Sequence, residues 1–515
     1  MILGDPDAPH IQTAGRSTLD DLFRTAAARR PDAIALCDPL NRRTFTDGEP
    51  RRLTYAQADH AITAIAGRLR RLGLAPDALV ALQLPNTVES VLAFLGVLRA
   101  GLIAVPLPLL WRRADAAAAL NRVGAKAIIT TSRIGTADHC GIAMNVAAEV
   151  FPIRYVCSFG EGLLDGVIPL NDLMTAAPLL EAALPVVRGE HGAAHVAAVT
   201  FEVTSGGLVA VGRSHAELIA GGRAVLLESA LQDDAAILAC CATGSFAGLA
   251  AGVMPWLLTG GTLSLHHSFD AAAFTEQLRL DDCETVVVPG ALAPRIADAG
   301  LLAHSGLRNV IALWRAPERL AVAAPWQRPD IRMVDVRAFG ETAVICGKRS
   351  ASGEPADIPL GLAFASNETD DAVTMAETTV TQNGTLAIRG AMVPRHAFPP
   401  GAERTPHPYF NPDTRGFADT HHPCRADRDN AAVEVTGPPP GIVSVGGYRF
   451  RQDELHALAA SLGEAVLTAL PDAIAGHRLA GHAADRTLAR QALDALGVNP
   501  LIDGAFLPRR KAEAA

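Results

Sequence analysis

Residues 198–218 read AVTFEVTSGGLVAVGRSHAEL, and this stretch decides how the rest of the chain is interpreted. It begins with an apolar run rich in β-branched residues, which is typical of a buried strand. A turn of small residues, Thr204-Ser205-Gly206-Gly207, follows, and a second apolar run leads through Arg213 to a helix-like segment at Ser214-His215. Hydroxyls and glycines in such a turn expose backbone N–H groups that can bind phosphate oxygens. A plain β-hairpin is the alternative that this stretch alone leaves open.

The composition indicates a globular chain with more than one folding unit. With 515 residues, it has room for a large core and a smaller second unit. Apolar residues make up 49% and charged residues 19% of the sequence, which argues against disorder. A formal net charge of −9 and scattered basic residues argue against a nucleic-acid partner. No apolar run reaches the ~18–20 residues of a membrane span, and no signal peptide is evident, so the cytoplasm is the expected location.

Cysteine and lysine usage limits the chemistry. The eight cysteines show neither a C-x-x-C pair nor a Cys/His ligand spacing, so we expect buried free thiols and predict no metal ligands. His421-His422 near Cys424 is the one place where zinc could be considered, but tetrahedral zinc needs four convergent ligands. Lysine occurs only at Lys126, Lys348 and Lys511, so any step that needs an ammonium group depends on these three.

Strand and helix patterns alternate with short links in the first part of the chain. Apolar residues at helical spacing follow Ser17 and Thr54, each a candidate N-cap. Short apolar runs at 79–84, 103–106 and 127–131 are typical of buried strands. This alternation predicts an α/β fold built on a layered sheet.

The stretch at 204–215 resembles the phosphate loop of the acyl-adenylate-forming superfamily, which includes acyl-CoA synthetases, luciferases and nonribosomal peptide adenylation domains. Its members show Thr-Ser-Gly-[Ser/Thr]-Thr-Gly-x-Pro-Lys-Gly, followed by Ser-His. Thr204, Ser205, Gly206 and Ser214-His215 match this frame, whereas the segment from Gly207 onward is apolar, shortened and without the lysine. The resemblance extends from about residue 19 to residue 511.

This resemblance implies an architecture. We expect a large αβαβα domain of the adenylate-forming type over residues 1–436 and a small α+β lid domain over residues 442–515. The proline-rich segment 437–441 stands where relatives have a hinge reading Gly-Arg-x-Lys-Asp-x-Ile. The ribose-side Arg, the Lys and the hinge Asp are therefore missing here.

A second motif, Phe339-Gly340-Glu341-Thr342-Ala343, resembles the Tyr-Gly-x-Thr-Glu of the superfamily. In relatives the aromatic ring stacks on adenine, the Thr contacts phosphate and the closing Glu holds magnesium. Ala343 replaces that glutamate, and Glu341 is the carboxylate that could stand in for it; an exposed turn carboxylate is the alternative.

Three further positions depart from the family. Relatives have Gly-Gly-Ala-Pro beside adenine, and this chain has Trp314-Arg315-Ala316-Pro317, whose bulk opposes close approach of a base. His422 stands where relatives have the ribose-binding Asp. Lys511 lies near the position of the C-terminal lysine that contacts the carboxylate substrate, but it lacks the preceding glycine, and a solvated tail is the alternative.

By resemblance, the candidate residues fall into two groups. The catalytic candidates are Glu341, Thr342 and Lys511. The nucleotide-binding candidates are Thr204, Ser205, Gly206, Gly207, Arg213, Ala316, Pro317, Phe339 and Gly340. The cofactors implied are ATP or AMP with Mg²⁺, and CoA as the thiol.

Two hypotheses of different classes follow for a chain whose ligand would be a small-molecule acid or acyl group. One is an acyl-CoA synthetase-like ligase with low or altered activity. The other is a catalytically inactive pseudoenzyme that acts as a binding or regulatory subunit, with a protein as its partner. Loss of the charged motif residues with retention of the packing residues favours the second hypothesis.

Overall fold

The computed structural model describes residues 17–174, 186, 189–366 and 372–507. Strands and helices alternate along the first two-thirds of this part of the chain, and most strands there pair in parallel. Two large sheets of this kind, one antiparallel sheet and a small C-terminal sheet carry the structure. The predicted α/β class is therefore confirmed.

The eight-stranded sheet positions much of the candidate site. Its central strands are parallel, and each edge is closed by an antiparallel strand. In spatial order the strands are Ala343–Lys348, Arg332–Phe339, Asn309–Trp314, Thr285–Pro289, Ala236–Ala239, Thr262–Leu265, Ile34–Cys37 and Arg52–Thr54.

The seven-stranded sheet contains the stretch quoted first. Its parallel strands end at one edge in an antiparallel hairpin, Val196–Thr204 and Gly207–Ser214. In spatial order the strands are Gly207–Ser214, Val196–Thr204, Ile103–Pro106, Leu79–Leu82, Ala127–Thr131, Tyr155–Phe159 and Ile168–Pro169.

An antiparallel six-stranded sheet was not among the expectations from sequence. In spatial order its strands are Ile358–Pro359, Ala432–Val435, Ala418–Asp427, Thr385–Arg389, Ala372–Val380 and Gly361–Ser366. The short strand at Ile358 pairs with Val433, far along the chain, and such a pairing leaves no local pattern in the sequence.

The last sheet belongs to the C-terminal unit, which we call the lid. Its four antiparallel strands are Tyr448–Arg451, Ile442–Val445, Gly476–His482 and Val466–Asp472. The predicted hinge 437–441 lies between the last strand of the six-stranded sheet, which ends at Val435, and the first strand of the lid, which begins at Ile442. A small separate ribbon joins Arg133–Ile134 to Ala137–Asp138.

Helices cover the parallel sheets and pack in the lid. Those described are Leu19–Arg29, Tyr55–Arg71, Val88–Arg99, Arg113–Val123, His139–Glu149, His215–Glu228, Phe246–Gly248, Met254–Thr259, Ala271–Leu280, Ala293–Asp298, Gln452–Ser461, Arg486–Leu496 and Pro500–Asp503. A π-helical turn, Leu249–Val253, makes one continuous segment of residues 246–259. None of the described helices combines the length and apolarity that a membrane crossing requires.

Side-chain caps define where the helices begin. Thr54 caps its helix as predicted, and its hydroxyl accepts from the backbone of Gln57. The first helix is capped by Thr18, so the expectation of a cap at Ser17 is wrong by one residue. Ser214 caps the helix that follows the hairpin, and the Glu217 side chain accepts from the Ser214 backbone in return. These reciprocal bonds fix the direction in which the chain leaves the hairpin.

The largest core lies around the helix Val88–Arg99, all of whose residues are buried. Trp256, Tyr55 and Phe23 pack together at one end of it, with ring centroids 5.7–6.3 Å apart. Buried aromatic side chains of this size supply much of the hydrophobic stabilisation of a domain. The lid has a separate, smaller core around Phe450, Leu493 and other residues of its own.

Candidate functional site

A cavity of about 540 Å³ lies between the eight-stranded sheet and the lid. Its floor is formed where the parallel strands end, at Cys240-Cys241, Pro289 and Leu313-Trp314. The carboxyl ends of parallel strands are the usual location of ligand sites in α/β proteins. The lid closes the cavity with residues 446–449 and 473–476, and the hairpin contributes residues 201–203.

The predicted phosphate turn does not line this cavity. Thr204 pairs with Gly207, so Ser205 and Gly206 form the two-residue tip of a β-hairpin. The Thr204 hydroxyl donates to the Gly207 carbonyl at 2.9 Å, and both tip residues are exposed. The hairpin left open by the sequence is thus the local structure, and the strand residues before its tip, Phe201 to Val203, reach the cavity.

Glu202, which the sequence did not single out, connects three segments at the cavity wall. One carboxylate oxygen pairs with the Arg449 guanidinium of the lid, and the other accepts from the backbone N–H of Glu341. Both groups are part-buried. Each carboxylate oxygen is therefore bound by a donor of the protein itself.

Glu341 lines the cavity, but its carboxylate is held at a helix terminus. It accepts a hydrogen bond from the backbone N–H of Phe246 at 2.8 Å, at the start of the segment 246–259. Burial first, and then the neighbouring Glu202 charge, raise the pKa of the Glu341 carboxyl. Thr342 is buried in the same turn, and its N–H donates to the Phe339 carbonyl at 3.0 Å.

Arg213 is fully buried and lies behind the cavity wall. Its guanidinium donates to the carbonyl oxygens of Met392, Glu341 and Thr342. It also lies over the Phe246 ring, 3.4 Å from the centroid. Burial lowers its pKa to about 10, so the side chain remains a cation. These contacts commit Arg213 to holding the turn at 341–342 against the hairpin.

Phe339 and His422 pack edge to face, with ring centroids 5.3 Å apart, and both are buried. The Nδ1 of His422 lies 3.0 Å from the Thr420 carbonyl, and its Nε2 lies 3.4 Å from an Arg449 nitrogen. An Nδ1–H tautomer satisfies both contacts, because Nε2 then accepts from the guanidinium. Burial and the Arg449 charge hold the pKa of His422 well below its usual value. The ring is neutral and supports Arg449.

The segment Trp314–Pro317 places one new cation at the cavity. The Trp314 indole donates to Asp335 at 2.8 Å, and an added Cβ on Gly290 would overlap its ring, so this wall needs a glycine. Arg315 lines the cavity and donates to the Ala242 carbonyl at 3.1 Å. Ala316 also lines the cavity, whereas Pro317 is buried at the start of a 3₁₀ turn and does not.

Three arginines line the cavity, and the sequence interpretation assigned a binding role to none of them. They are Arg315, Arg319 and Arg449. Arg315 was noted only for its bulk, while Arg449 belongs to the lid motif Gly446-Gly447-Tyr448-Arg449. No local pattern marked these arginines as a group, because Arg449 lies on a separate segment that meets Arg315 and Arg319 only in the folded chain. Lys126 and Lys348 lie elsewhere, and Lys511 lies outside the described residues.

A family model described as AMP-binding enzyme matches residues 23–395 of the chain. The chain belongs to the AMP-binding enzyme family. A 2-hydroxy-7-methoxy-5-methyl-1-naphthoate–CoA ligase from Streptomyces carzinostaticus is 25% identical over 488 residues, which are 90% of this chain and 83% of that ligase. A beauvericin nonribosomal cyclodepsipeptide synthetase from Beauveria bassiana is 40% identical over 91 residues, 18% of this chain. The match spans only 2% of that synthetase.

Solved structures of AMP-binding, adenylate-forming enzymes share the fold. The amide bond synthetase McbA from Marinactinospora thermotolerans superimposes with a TM-score of 0.70 at 16% identity, covering 94% of each chain. Apo MbtA from Mycobacterium smegmatis superimposes with a TM-score of 0.64 at 21% identity, covering 97% of this chain and 93% of MbtA. The adenylate-forming fold expected from the motifs is thus confirmed.

The AMP-binding enzyme family uses ATP or AMP, generally with Mg²⁺, and the described residues at the turn 339–343 do not present free ligands for the metal. Ala343 is buried in the core, and the Glu341 carboxylate accepts from the Phe246 N–H at a helix terminus. Within the described ranges, no group of three or more His, Cys, Asp or Glu residues converges to hold a metal ion. Glu202, an acidic side chain beside the turn at 340–341, is itself bound there.

Proposed function

We propose that this member of the AMP-binding enzyme family binds a small, largely apolar carboxylic acid between its large domain and its lid, and that it has lost the adenylation step. The observation that carries the proposal is the position of the charged groups around the cavity. Arginines face the cavity, whereas the groups that would hold a nucleotide and a metal are engaged with the protein itself.

The acid would lie with its apolar body against aromatic walls. Trp111, Phe201 and Trp314 line one part of the cavity, with Leu313 beside them. Pockets of this composition bind flat or branched apolar groups, and a few polar groups fix their orientation. The CoA ligase relative is named for a naphthoate, an aromatic acid, and this supports aromatic acids as the first ligands to test.

The carboxylate would be bound by Arg315 and Arg319. Arg315 gives one hydrogen bond to Ala242, and Arg319 gives one to the Asp472 carbonyl of the lid at 3.4 Å. A guanidinium has five N–H donors, so each arginine can also contact a ligand carboxylate. Arg319 would in this way link ligand binding to the position of the lid.

The loss of adenylation follows from the charges that the reaction needs. Attack of a carboxylate on the α-phosphate of ATP brings several negative charges together, and preorganised cations must stabilise them. The loop lysine, the closing glutamate and the ribose aspartate of the family are absent. Removal of one such electrostatic contact commonly costs ~10²–10³ in rate. Several losses in one site make turnover negligible, although such effects do not simply add.

A slow acid–thiol (CoA) ligase is the second candidate. It is favoured by the lid, which reaches into the cavity wall with residues 446–449 and 473–476 and keeps an arginine there. A chain that only binds an acid has less need of such a lid. In the first proposal, the chain is instead a binding or regulatory subunit. A protein partner can recognise the shape that the lid gives to this subunit.

Calorimetry tests the proposal. We expect at least one aromatic acid to bind, while ATP·Mg²⁺ and AMP bind weakly, and we expect no pyrophosphate release above the no-enzyme control with acid, ATP and CoA. Arg315→Met and Arg319→Met should each weaken acid binding about tenfold, since a hydrogen bond to a charged group contributes ~1.5–3 kcal/mol. Arg328→Met is the matched control, because Arg328 pairs with Asp330 away from this cavity. Robust pyrophosphate release would favour the ligase instead.

A further inference from the structure

The turn after the strand Arg332–Phe339 forms an anion-binding arrangement together with the lid. Gly340 has a positive φ of 56°, which turns the backbone so that the N–H of Glu341 points toward the hairpin. Arg449 supplies a guanidinium on the same side, held from behind by neutral His422. We call the Glu341 N–H and the Arg449 guanidinium the anion cradle. Backbone N–H groups and guanidinium are the donors that carboxylates and phosphates prefer.

The anion in this cradle belongs to the protein. Glu202 gives one oxygen to each of the two donors, so it takes the place that a ligand anion would occupy. The approach is close enough that any side chain at Gly340 would overlap Glu202, and its Cβ would also lie 2.9 Å from the Arg449 nitrogen. Glycine at position 340 therefore leaves room for Glu202 in this arrangement, whereas a residue with a side chain would not.

A second anion at the cradle would find donors that Glu202 already uses, and the nearby carboxylates would repel it. The Glu341 carboxyl lies nearby, and burial first, then the Glu202 charge, raise its pKa. Other charged groups at the cradle are Arg449 itself, which Glu202 pairs with, part-buried Glu318 near Arg449, and buried Arg213, whose hydrogen bonds go to carbonyl oxygens. A phosphate has to displace Glu202 before it can bind the Glu341 N–H, and at Arg449 it meets the negative charge of Glu202.

We propose that Glu202 is a specificity-determining residue, which fills the anion cradle with its own carboxylate and thereby excludes the phosphate groups of nucleotides from the cavity. The inference deepens the proposed function, on which it rests, because it names the residue that keeps the cavity for a carboxylic acid held by Arg315 and Arg319. The same ion pair joins the hairpin to the lid, so exclusion of phosphate and closure of the lid depend on one side chain.

The test compares AMP binding by calorimetry in the wild type and in Glu202→Gln, which keeps the size and removes the charge. We expect Glu202→Gln to bind AMP at least tenfold more tightly than the wild type, and Glu202→Gln with Arg449→Gln to lose this gain. Glu454→Gln is the matched control, since Glu454 is an exposed lid carboxylate that pairs with Arg451, and it should bind AMP as the wild type does. Glu202→Ala is a second variant if the first unfolds.

The outcomes separate this inference from the proposed function. If folded Glu202→Gln and Glu202→Ala bind AMP no better than the wild type, the inference is overturned. If Glu202→Gln gains AMP affinity while no acid binds the wild type, the inference stands and the acid-binding proposal fails. If the wild type already binds AMP with sub-micromolar affinity, the inference and the loss of nucleotide binding are both overturned.

Discussion

The carboxylate of Glu341 accepts a hydrogen bond from the backbone N–H of Phe246 at 2.8 Å. Phe246 begins the segment 246–259, whose first N–H groups have no partner within the helix. A carboxylate there satisfies one of these donors and interacts favourably with the helix dipole. Glu341 thus adds a second acceptor at this helix terminus beside the N-cap Ser245, whereas the resemblance implies a catalytic role for it.

Substitution of Glu341 should therefore affect stability. We expect Glu341→Ala to lower the free energy of unfolding by ~1–2 kcal/mol, because the buried Phe246 N–H loses its acceptor, and Glu341→Gln to cost less because an amide oxygen still accepts. Urea denaturation measures both. In addition, 10 mM Mg²⁺ should not change the melting temperature of the wild type. A Mg²⁺-dependent increase that Glu341→Ala abolishes would restore Glu341 as a metal ligand.

Arg213 should behave as a structural residue. We expect Arg213→Ala to lower the free energy of unfolding by about 3 kcal/mol or more, because three carbonyl oxygens lose their donor and a buried cavity is left. Arg279→Ala is the control, since Arg279 is exposed and pairs only with its helix neighbour Glu276; its cost should stay under ~0.5 kcal/mol. An Arg213→Ala variant as stable as the wild type would contradict this role.

The buried His139 should couple stability to pH. Burial first, and then the Arg112 charge, lower its pKa to about 3, whereas an unfolded histidine titrates near ~6.5. Below pH 6.5 the unfolded state therefore takes up a proton that the folded state does not. Stability is consequently lost as pH falls from 6.5 toward 3, by up to ~1.4 kcal/mol per pH unit.

The measurement must isolate this histidine, because burial raises the pKa of Asp115 to about 6. Protonation of the Asp115 carboxyl changes stability with pH in the opposite direction. Over this pH range, the folded protein holds a proton on Asp115 that the unfolded chain has released. We therefore compare urea unfolding of the wild type and His139→Gln at pH 6.5 and pH 5. The wild type should lose stability relative to the variant by up to ~2 kcal/mol over this interval. Parallel pH profiles would show that folded His139 takes up its proton as readily as the unfolded residue does, and would contradict the prediction.

The lid should keep one position relative to the large domain. Consecutive prolines at 438–440 restrict φ in the hinge, although Gly441 has a positive φ of 75°. The lid is also attached directly. The Tyr448 hydroxyl accepts from the Leu110 N–H at 3.2 Å, and the Gly497 carbonyl accepts from the Ala114 N–H at 3.0 Å.

Distance measurements between the exposed positions of Leu280 and Leu488 test this prediction. Labels are introduced through non-natural residues, because the chain has eight native cysteines. We expect one distance population without ligand, with AMP and with CoA. Replacement of the three hinge prolines by glycine should broaden it. Two populations in the wild type that exchange weight on adding ligand would contradict a single lid position.

By itself, the sequence determined the α/β fold and the start of several helices. Those features depend on local patterns: apolar runs that form strands, caps such as Thr54, and the order of small motifs along the chain. The two-residue tip at Ser205-Gly206 was also among its alternatives, because turn residues act over a few positions. The third, antiparallel sheet was not predicted. The pairing of Ile358 with Val433 is distant in sequence, although its other strands pair with their neighbours along the chain.

Only the tertiary structure decided what the candidate residues contact. Glu202 and Arg449 are 247 residues apart in the chain, and Arg213 reaches the Glu341 carbonyl across 128 residues. No local pattern encodes such pairs, because a charged side chain looks the same in sequence whether solvent, a ligand or another side chain neutralises it. The packing of sheet, hairpin and lid brings Glu202 to the donors at Glu341 and Arg449. This packing decides which charged groups still face the cavity.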